Sequence, residues 1–207
     1  MAHDIVNQLL SKHPLVSDQV DTRQLHVILT QLQKALNASV PGDIVEFGCY
    51  IGTTSLFIRR LLNENDLSHA RQLHVYDSFV GLPPKSTQDA SRAGEDFTAG
   101  ALAVSKKQFI REFQKAHLTL PVIHKGWFKD LSDNDVPEKI AFAFLDGDFY
   151  ESIRDSLRLV LPRMQKGGVI VVDDYAREAL PGAARAVHEH FSPDRIQTIH
   201  NLGLIQL

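Results

Sequence analysis

Four aspartates carry the densest chemistry in this chain. Ile140 to Leu145, IAFAFL, is a continuous apolar run that ends in Asp146, Gly147 and Asp148. A second run, GGVIVV at residues 167–172, ends in Asp173, Asp174 and Tyr175. Uninterrupted apolar runs of this length suit strands buried on both faces of a parallel sheet. Two such strands side by side deliver their carboxylates to one sheet edge, the carboxyl edge where open α/β sheets bind ligands. Like charges this close repel, and a divalent cation with oxygen ligands is the simplest remedy. A single Asp after a strand is often only a helix cap. A DxD and a DD ending successive apolar strands ask for more than capping.

A second constellation lies earlier, in DIVEFGCYIGTTSLFI, Asp43 to Ile58. Ile44, Val45 and Phe47, with Glu46 among them, lead into Gly48, a short loop, Gly52, and a helical pattern opening at Thr53 and Thr54. A strand, a glycine turn and a helix start let backbone N–H groups and the helix dipole meet an electron-rich ligand. A dinucleotide fingerprint needs three glycines spaced G-x-G-x-x-G against a pyrophosphate. Here two glycines lie four apart, with Glu46 two residues before the first. The E-x-G-x-x-x-G pattern resembles the S-adenosylmethionine loop of class I methyltransferases, in which the first glycine lets the methionine portion approach the backbone.

The next strand, Gln72 to Tyr76, ends in Asp77, at about the spacing expected of an acid that accepts hydrogen bonds from both ribose hydroxyls. Capping of the following turn is the alternative role. Pro121 to Lys125 reads as a third strand followed by Gly126, Trp127 and Phe128. A Trp at a strand end can wall an adenine ring by stacking, or it can be a core aromatic. Cys49, the single cysteine, reads as a small side chain lining the turn rather than as a nucleophile.

The elements that must position these residues are legible in outline. Residues 1–40 read as an N-terminal helical segment: Ile5, Val6, Leu9 and Leu10 form a short apolar face, and Leu25, Ile28, Leu29, Leu32 and Leu36 form a longer one. Its start is expected near Ser17 or Asp18, and Pro41 and Gly42 stop it. These helices are suited to covering the cofactor loop, a homo-oligomer interface or the sheet edge. Residues 41–207 read as one α/β domain of alternating strands and helices. The helix after Gly52 returns through NENDLSHA to the second strand. A long polar connection, residues 78–105, has the length and composition of a lid over the site. Gly182 to His190 reads as a last helix, and Arg195 to His200 and Leu204 to Leu207 as a closing antiparallel hairpin around Asn201, Leu202 and Gly203.

Composition narrows the partners. With 22 Lys and Arg against 25 Asp and Glu, the net charge is -3 over 207 residues, so no basic field draws nucleic acid or an anionic membrane. The N-terminus MAHDIVNQLL has an acid where a signal peptide needs a basic segment, and no apolar run approaches membrane-spanning length. A cytoplasmic protein with a small-molecule ligand is expected.

Taken in order, EFGCYIG, YDSFVGLPPKS, GWF at 126–128, FLDGDFYES and GGVIVVDDY make the chain similar to the macrocin O-methyltransferase family. These are metal-dependent enzymes that methylate hydroxyls on antibiotic sugars and phenolic compounds. The resemblance implies a Rossmann-like class I methyltransferase fold, with a seven-stranded, mostly parallel sheet and helices on both faces. It implies S-adenosylmethionine and Mg2+ as cofactors, with Asp146, Asp173 and Asp174 on the metal. Glu46, Gly48, Cys49, Tyr50, Gly52, Thr53, Asp77, Ser78, Gly126, Trp127 and Asp146 are the expected cofactor contacts. Asp146 or Asp148 would take the proton of the small-molecule hydroxyl acceptor.

Two other readings share the acids. An aspartyl-nucleophile phosphohydrolase also uses an apolar strand ending in DxD with magnesium. Such enzymes carry a Thr two residues past the DxD, where this chain has Tyr150, and they leave the glycine loop without a role. A non-catalytic nucleotide-binding module would keep the fold without needing the acids.

Overall fold

A computed structural model of the chain describes residues 2–65, 67, 70–95 and 97–207. Asp66, Ser68 and His69, in the return to the second strand, and Asp96, in the long connection, lie outside the described residues. Seven strands form one sheet: β1 (Asp43–Phe47), β2 (Leu73–Asp77), β3 (Val122–Lys125), β4 (Ile140–Leu145), β5 (Met164–Val172), β6 (Gln197–Ile199) and β7 (Leu202–Gln206). Their order is β3-β2-β1-β4-β5-β7-β6. β1 pairs in parallel with both β2 and β4, and β7 alone runs antiparallel to its two neighbours. The expected mostly parallel sheet with a closing hairpin is what the chain forms.

Strand alternation divides the core in two. One face packs Ile44, Leu73, Val75, Phe142, Phe144, Val169 and Val171. It is covered by α1 (Ala2–Lys12), α2 (Thr22–Asn37), α3 (Thr53–Glu64) and α4 (Lys106–Lys115). The other face packs Val45, Phe47, Ala143, Leu145, Ile170 and Val172 under α5 (Tyr150–Val160) and α6 (Pro181–His188). β4 is buried along its whole length, which is why its sequence does not alternate. No helix among the described residues is long and apolar enough to cross a membrane.

Among the boundaries that differ from the sequence expectation, two have a visible cause. α2 starts at Thr22 rather than near Ser17: Asp21 is the N-cap, and it shares a reciprocal capping box with Gln24. Ser17 is engaged elsewhere, its hydroxyl lying 2.9 Å from that of Thr53. In the hairpin the turn is His200-Asn201, both with positive φ (48° and 68°), and Leu202 and Gly203 already belong to β7. Two left-handed residues match the twist of a two-residue hairpin. Gly203 serves a different need, since a Cβ there would sit 2.7 Å from the Tyr175 ring.

Candidate active site

The chain leaves β1 toward β2 on one side of the sheet and returns to β4 on the other, so the order reverses between β1 and β4. A cleft of about 450 Å³ opens at the carboxyl edge around that point. Its walls are the ends of five strands. Gly48 and Tyr50 follow β1, Asp77 and Ser78 end β2, Trp127 and Phe128 follow β3, Asp146 to Asp148 follow β4, and Asp174 and Arg177 follow β5. The long connection adds residues 81–86, Phe97 and Leu102, and the segment before α2 adds Gln19.

Asp146, Asp173 and Asp174 offer carboxylate oxygens that lie within 4.8 Å of one another. Burial pushes the Asp146 and Asp148 carboxyls well above the usual range, and the negative neighbours push the same way. Asp173 is pushed up to about 7 by burial and by Asp174. Burial raises Asp174 as well, against the pull of Arg177, whose guanidinium lies 3.0 Å from Asp174 Oδ1. Arg177 thus faces a crowd of acids, which is the condition a hard divalent ion with oxygen ligands relieves. The donor set fits magnesium. Backbone strain concentrates here too, with Tyr50, Phe79, Asp148 and Asp174 all at positive φ (46°, 55°, 58° and 54°).

The acid that ends β2 is partly committed. Asp77 Oδ2 accepts hydrogen bonds from the backbone N–H groups of Cys49 (2.9 Å) and Tyr50 (3.1 Å), and Oδ1 accepts one from Phe79 N–H (2.7 Å). A carboxylate has about four acceptor positions. One position beyond these three is left for a ligand. The other work of Asp77 is to hold the glycine loop.

A profile of the Macrocin-O-methyltransferase (TylF) family matches residues 13–202. The chain belongs to this family. It is 34% identical over 165 residues to the 8-demethyl-8-(2,3-dimethoxy-alpha-L-rhamnosyl)-tetracenomycin-C 4'-O-methyltransferase of Streptomyces olivaceus, covering 77% of this chain and 61% of that protein. The chain therefore spans about three fifths of that relative's length. Identity to mycinamicin III 3''-O-methyltransferase of Micromonospora griseorubida is 31% over 197 residues, 89% of this chain and 76% of the relative. Among solved structures, the O-methyltransferase NovP superposes with a TM-score of 0.78 at 29% identity, covering 90% of this chain and 80% of that one. The sheet described above is the class I methyltransferase fold.

Within this macrocin O-methyltransferase family site, the sequence-predicted residues separate into two groups. Gly48, Tyr50, Asp77, Ser78, Trp127, Asp146 and Asp148 line the cleft, and so does Asp174. Glu46, Cys49, Gly52, Thr53 and Gly126, expected as cofactor contacts, are not on its wall, and neither is the expected metal ligand Asp173. Glu46 is buried beneath the loop, where the Ser55 hydroxyl donates to its Oε2, and burial raises its pKa to about 8. Cys49 points into the core, and burial pushes its thiol well up. Gly52 lies against the Phe109 ring, Thr53 faces Ser17, and Gly126 N–H donates to Asp77 O. Of the loop's amides, Cys49 and Tyr50 N–H donate to Asp77, Gly48 N–H to Tyr76 O and Gly52 N–H to Cys49 O.

Gly48 is also glycine because the Asp146 backbone lies against it. A Cβ there would lie 1.8 Å from the carbonyl oxygen of Asp146. The first glycine therefore brings the β1 loop against the β4 loop, seating cofactor-side and acid-side residues together. Sequence reasoning missed Arg177, Phe97 and Gln19. Arg177 had a signal, three residues after Asp174; the other two come from segments without regular structure and carried none.

Proposed function

We propose that this chain is an S-adenosylmethionine-dependent O-methyltransferase acting on a hydroxyl of a sugar or other natural product, with Mg2+ at the acid cluster. The observation that carries the reading is the junction at Gly48, where the expected cofactor wall meets three convergent carboxylates, two of which, Asp146 and Asp174, line the same cleft, in a macrocin O-methyltransferase family fold. When bound, S-adenosylmethionine supplies an electrophilic methyl, and Mg2+ supplies Lewis-acid polarisation of the acceptor hydroxyl. Asp146, Asp173 and Asp174 hold the metal. Gly48, Tyr50, Asp77, Ser78 and Trp127 hold the cofactor, Trp127 beside the adenine. Asp148, on the cleft wall two residues from Asp146, would take the proton that the acceptor hydroxyl loses on methyl transfer.

Calorimetry with S-adenosylhomocysteine tests the cofactor assignment. Wild type is expected to bind, and Asp77→Asn to bind roughly tenfold to a hundredfold more weakly, about 1–3 kcal/mol. Its thermal midpoint should fall as well, because the loop's N–H groups lose acceptor oxygen. Equal affinity in wild type and Asp77→Asn would take Asp77 out of the site.

Residues 78–105 act as a lid anchored at its middle. Asp89 is buried, and its Oδ1 accepts from Tyr150 N–H (2.7 Å), pinning the segment at the start of α5. Toward its two ends the segment lines the cleft, with Phe97 under the Arg177 guanidinium (5.1 Å to the ring centroid). Limited proteolysis of the free protein should cut within residues 97–104 before it cuts around Asp89. S-adenosylhomocysteine should slow the first cleavage, and unchanged cleavage would mark the segment as a fixed wall.

A further inference from the structure

Among the described residues, the N-terminal segment hydrogen-bonds to the acid cluster through the side chain of Gln24. Its Nε2 donates to Asp173 Oδ1 at 3.3 Å, across 149 residues of sequence. The same amide is fixed at its other end, because its Oε1 accepts from Asp21 N–H (3.1 Å) while Gln24 N–H donates to Asp21 Oδ1 (2.8 Å). This capping box decides which way round the amide sits: the oxygen is occupied by a donor, so the NH₂ group must be the end that meets Asp173. Asp173 is itself buried, and its Oδ1 also accepts from Asp174 N–H (2.8 Å). Two donors hold one oxygen, and among the described residues Oδ2 accepts no hydrogen bond. Neighbouring residues of the same segment tie it to the rest of the site, Ser17 to Thr53 at the start of α3 and Gln19 to the cleft wall.

We infer that Gln24 is a positioning residue for the metal centre, holding Asp173 by Oδ1 so that Oδ2 is presented to the ion. The inference rests on the proposed metal site. Its chemistry is that of an outer partner orienting a carboxylate ligand, whose removal typically weakens metal binding by about tenfold to a hundredfold. The sequence offered no hint of it, since Gln24 lies on a helix that could equally have served only to cover the sheet.

Two variants test the inference, both at a half-buried position in the first turn of α2. Gln24→Met keeps the length without the donor, and Gln24→Ala is the residue that helices tolerate best. Mn2+ affinity is read by electron paramagnetic resonance and S-adenosylhomocysteine affinity by calorimetry, neither of which depends on turnover. The expected result is Mn2+ binding at least about tenfold weaker than wild type, with S-adenosylhomocysteine affinity within about twofold. Mn2+ affinity within twofold of wild type in either folded variant would overturn the inference. So would a parallel fall of both affinities, which is the mark of general loosening. Absence of Mn2+ binding by the wild-type protein would instead defeat the metal reading itself, and the inference with it.

Discussion

Gly48→Ala is expected to cost the fold at least about 4 kcal/mol, enough to leave much of the protein unfolded at room temperature. Two effects add. The residue sits at φ +86°, a conformation that L side chains rarely adopt, and its Cβ would be placed 1.8 Å from Asp146 O and 2.8 Å from Asp146 C. Those are backbone atoms that cannot swing aside. Asp146 N–H donates to Phe47 O and Gly48 N–H to Tyr76 O, each at 2.8 Å, so the three strand ends are locked together where the collision occurs.

Gly100→Ala is the matched control. Gly100 also has positive φ (+82°) but nothing lies within 4 Å of its Cβ position, leaving a backbone cost of about 1 kcal/mol. Gly52→Ala should fall between the two, because its Cβ meets the Phe109 ring, a side chain that can move. Urea unfolding of the three variants measures the order. A Gly48→Ala protein as stable as Gly100→Ala would mean that the β1 and β4 loops separate easily, and that the junction does not hold the site together.

This explains why the glycine motif was legible and its purpose was not. E-x-G-x-x-x-G fixes a backbone path of strand, turn and helix, and the chain takes that path. Which side of the turn faces the cleft depends on what packs behind it, and that comes from Phe109, Ser17 and Asp146, residues far away in sequence. Glu46, Cys49, Gly52 and Thr53 therefore pack away from the cleft wall. Asp77 was found because an acid at a strand end is conspicuous, yet two of its three hydrogen bonds come from the glycine loop after β1, a choice invisible without the fold. The acids after β4 and β5 were the easiest to read: apolar strands buried on both faces leave few places for a charge except their ends, and adjacent strands bring those ends together. Gln24 and Phe97 sit on segments whose own patterns concern capping and loop composition, so nothing local announces their partners.

Asp146→Asn should separate the metal from the cofactor. The Asp146 carboxylate is crowded by Asp173, Asp148 and Asp174, and burial raises the cost of its charge further. An amide of the same shape removes one contributor to that repulsion without opening a cavity. Metal-free Asp146→Asn is therefore expected to melt at or above the wild-type temperature. Mg2+ should stabilise the wild type, by about 2.7 kcal/mol at a hundred times the dissociation constant, and leave the variant nearly unchanged. Methyl transfer should fall at least about a thousandfold, roughly 4 kcal/mol of barrier, while S-adenosylhomocysteine affinity stays within about twofold. Asp174→Asn should follow the same pattern with lower stability, because Arg177 loses its 3.0 Å partner. Chelator should reproduce the loss in wild type, and added Mg2+ should reverse it. Full transfer in excess chelator would sink the metal assignment and leave the four acids only proton transfer as a role. A loss of cofactor affinity equal to the loss of rate would instead place Asp146 on the cofactor rather than on the metal, moving the boundary between the two halves of the cleft to the other side of Gly48.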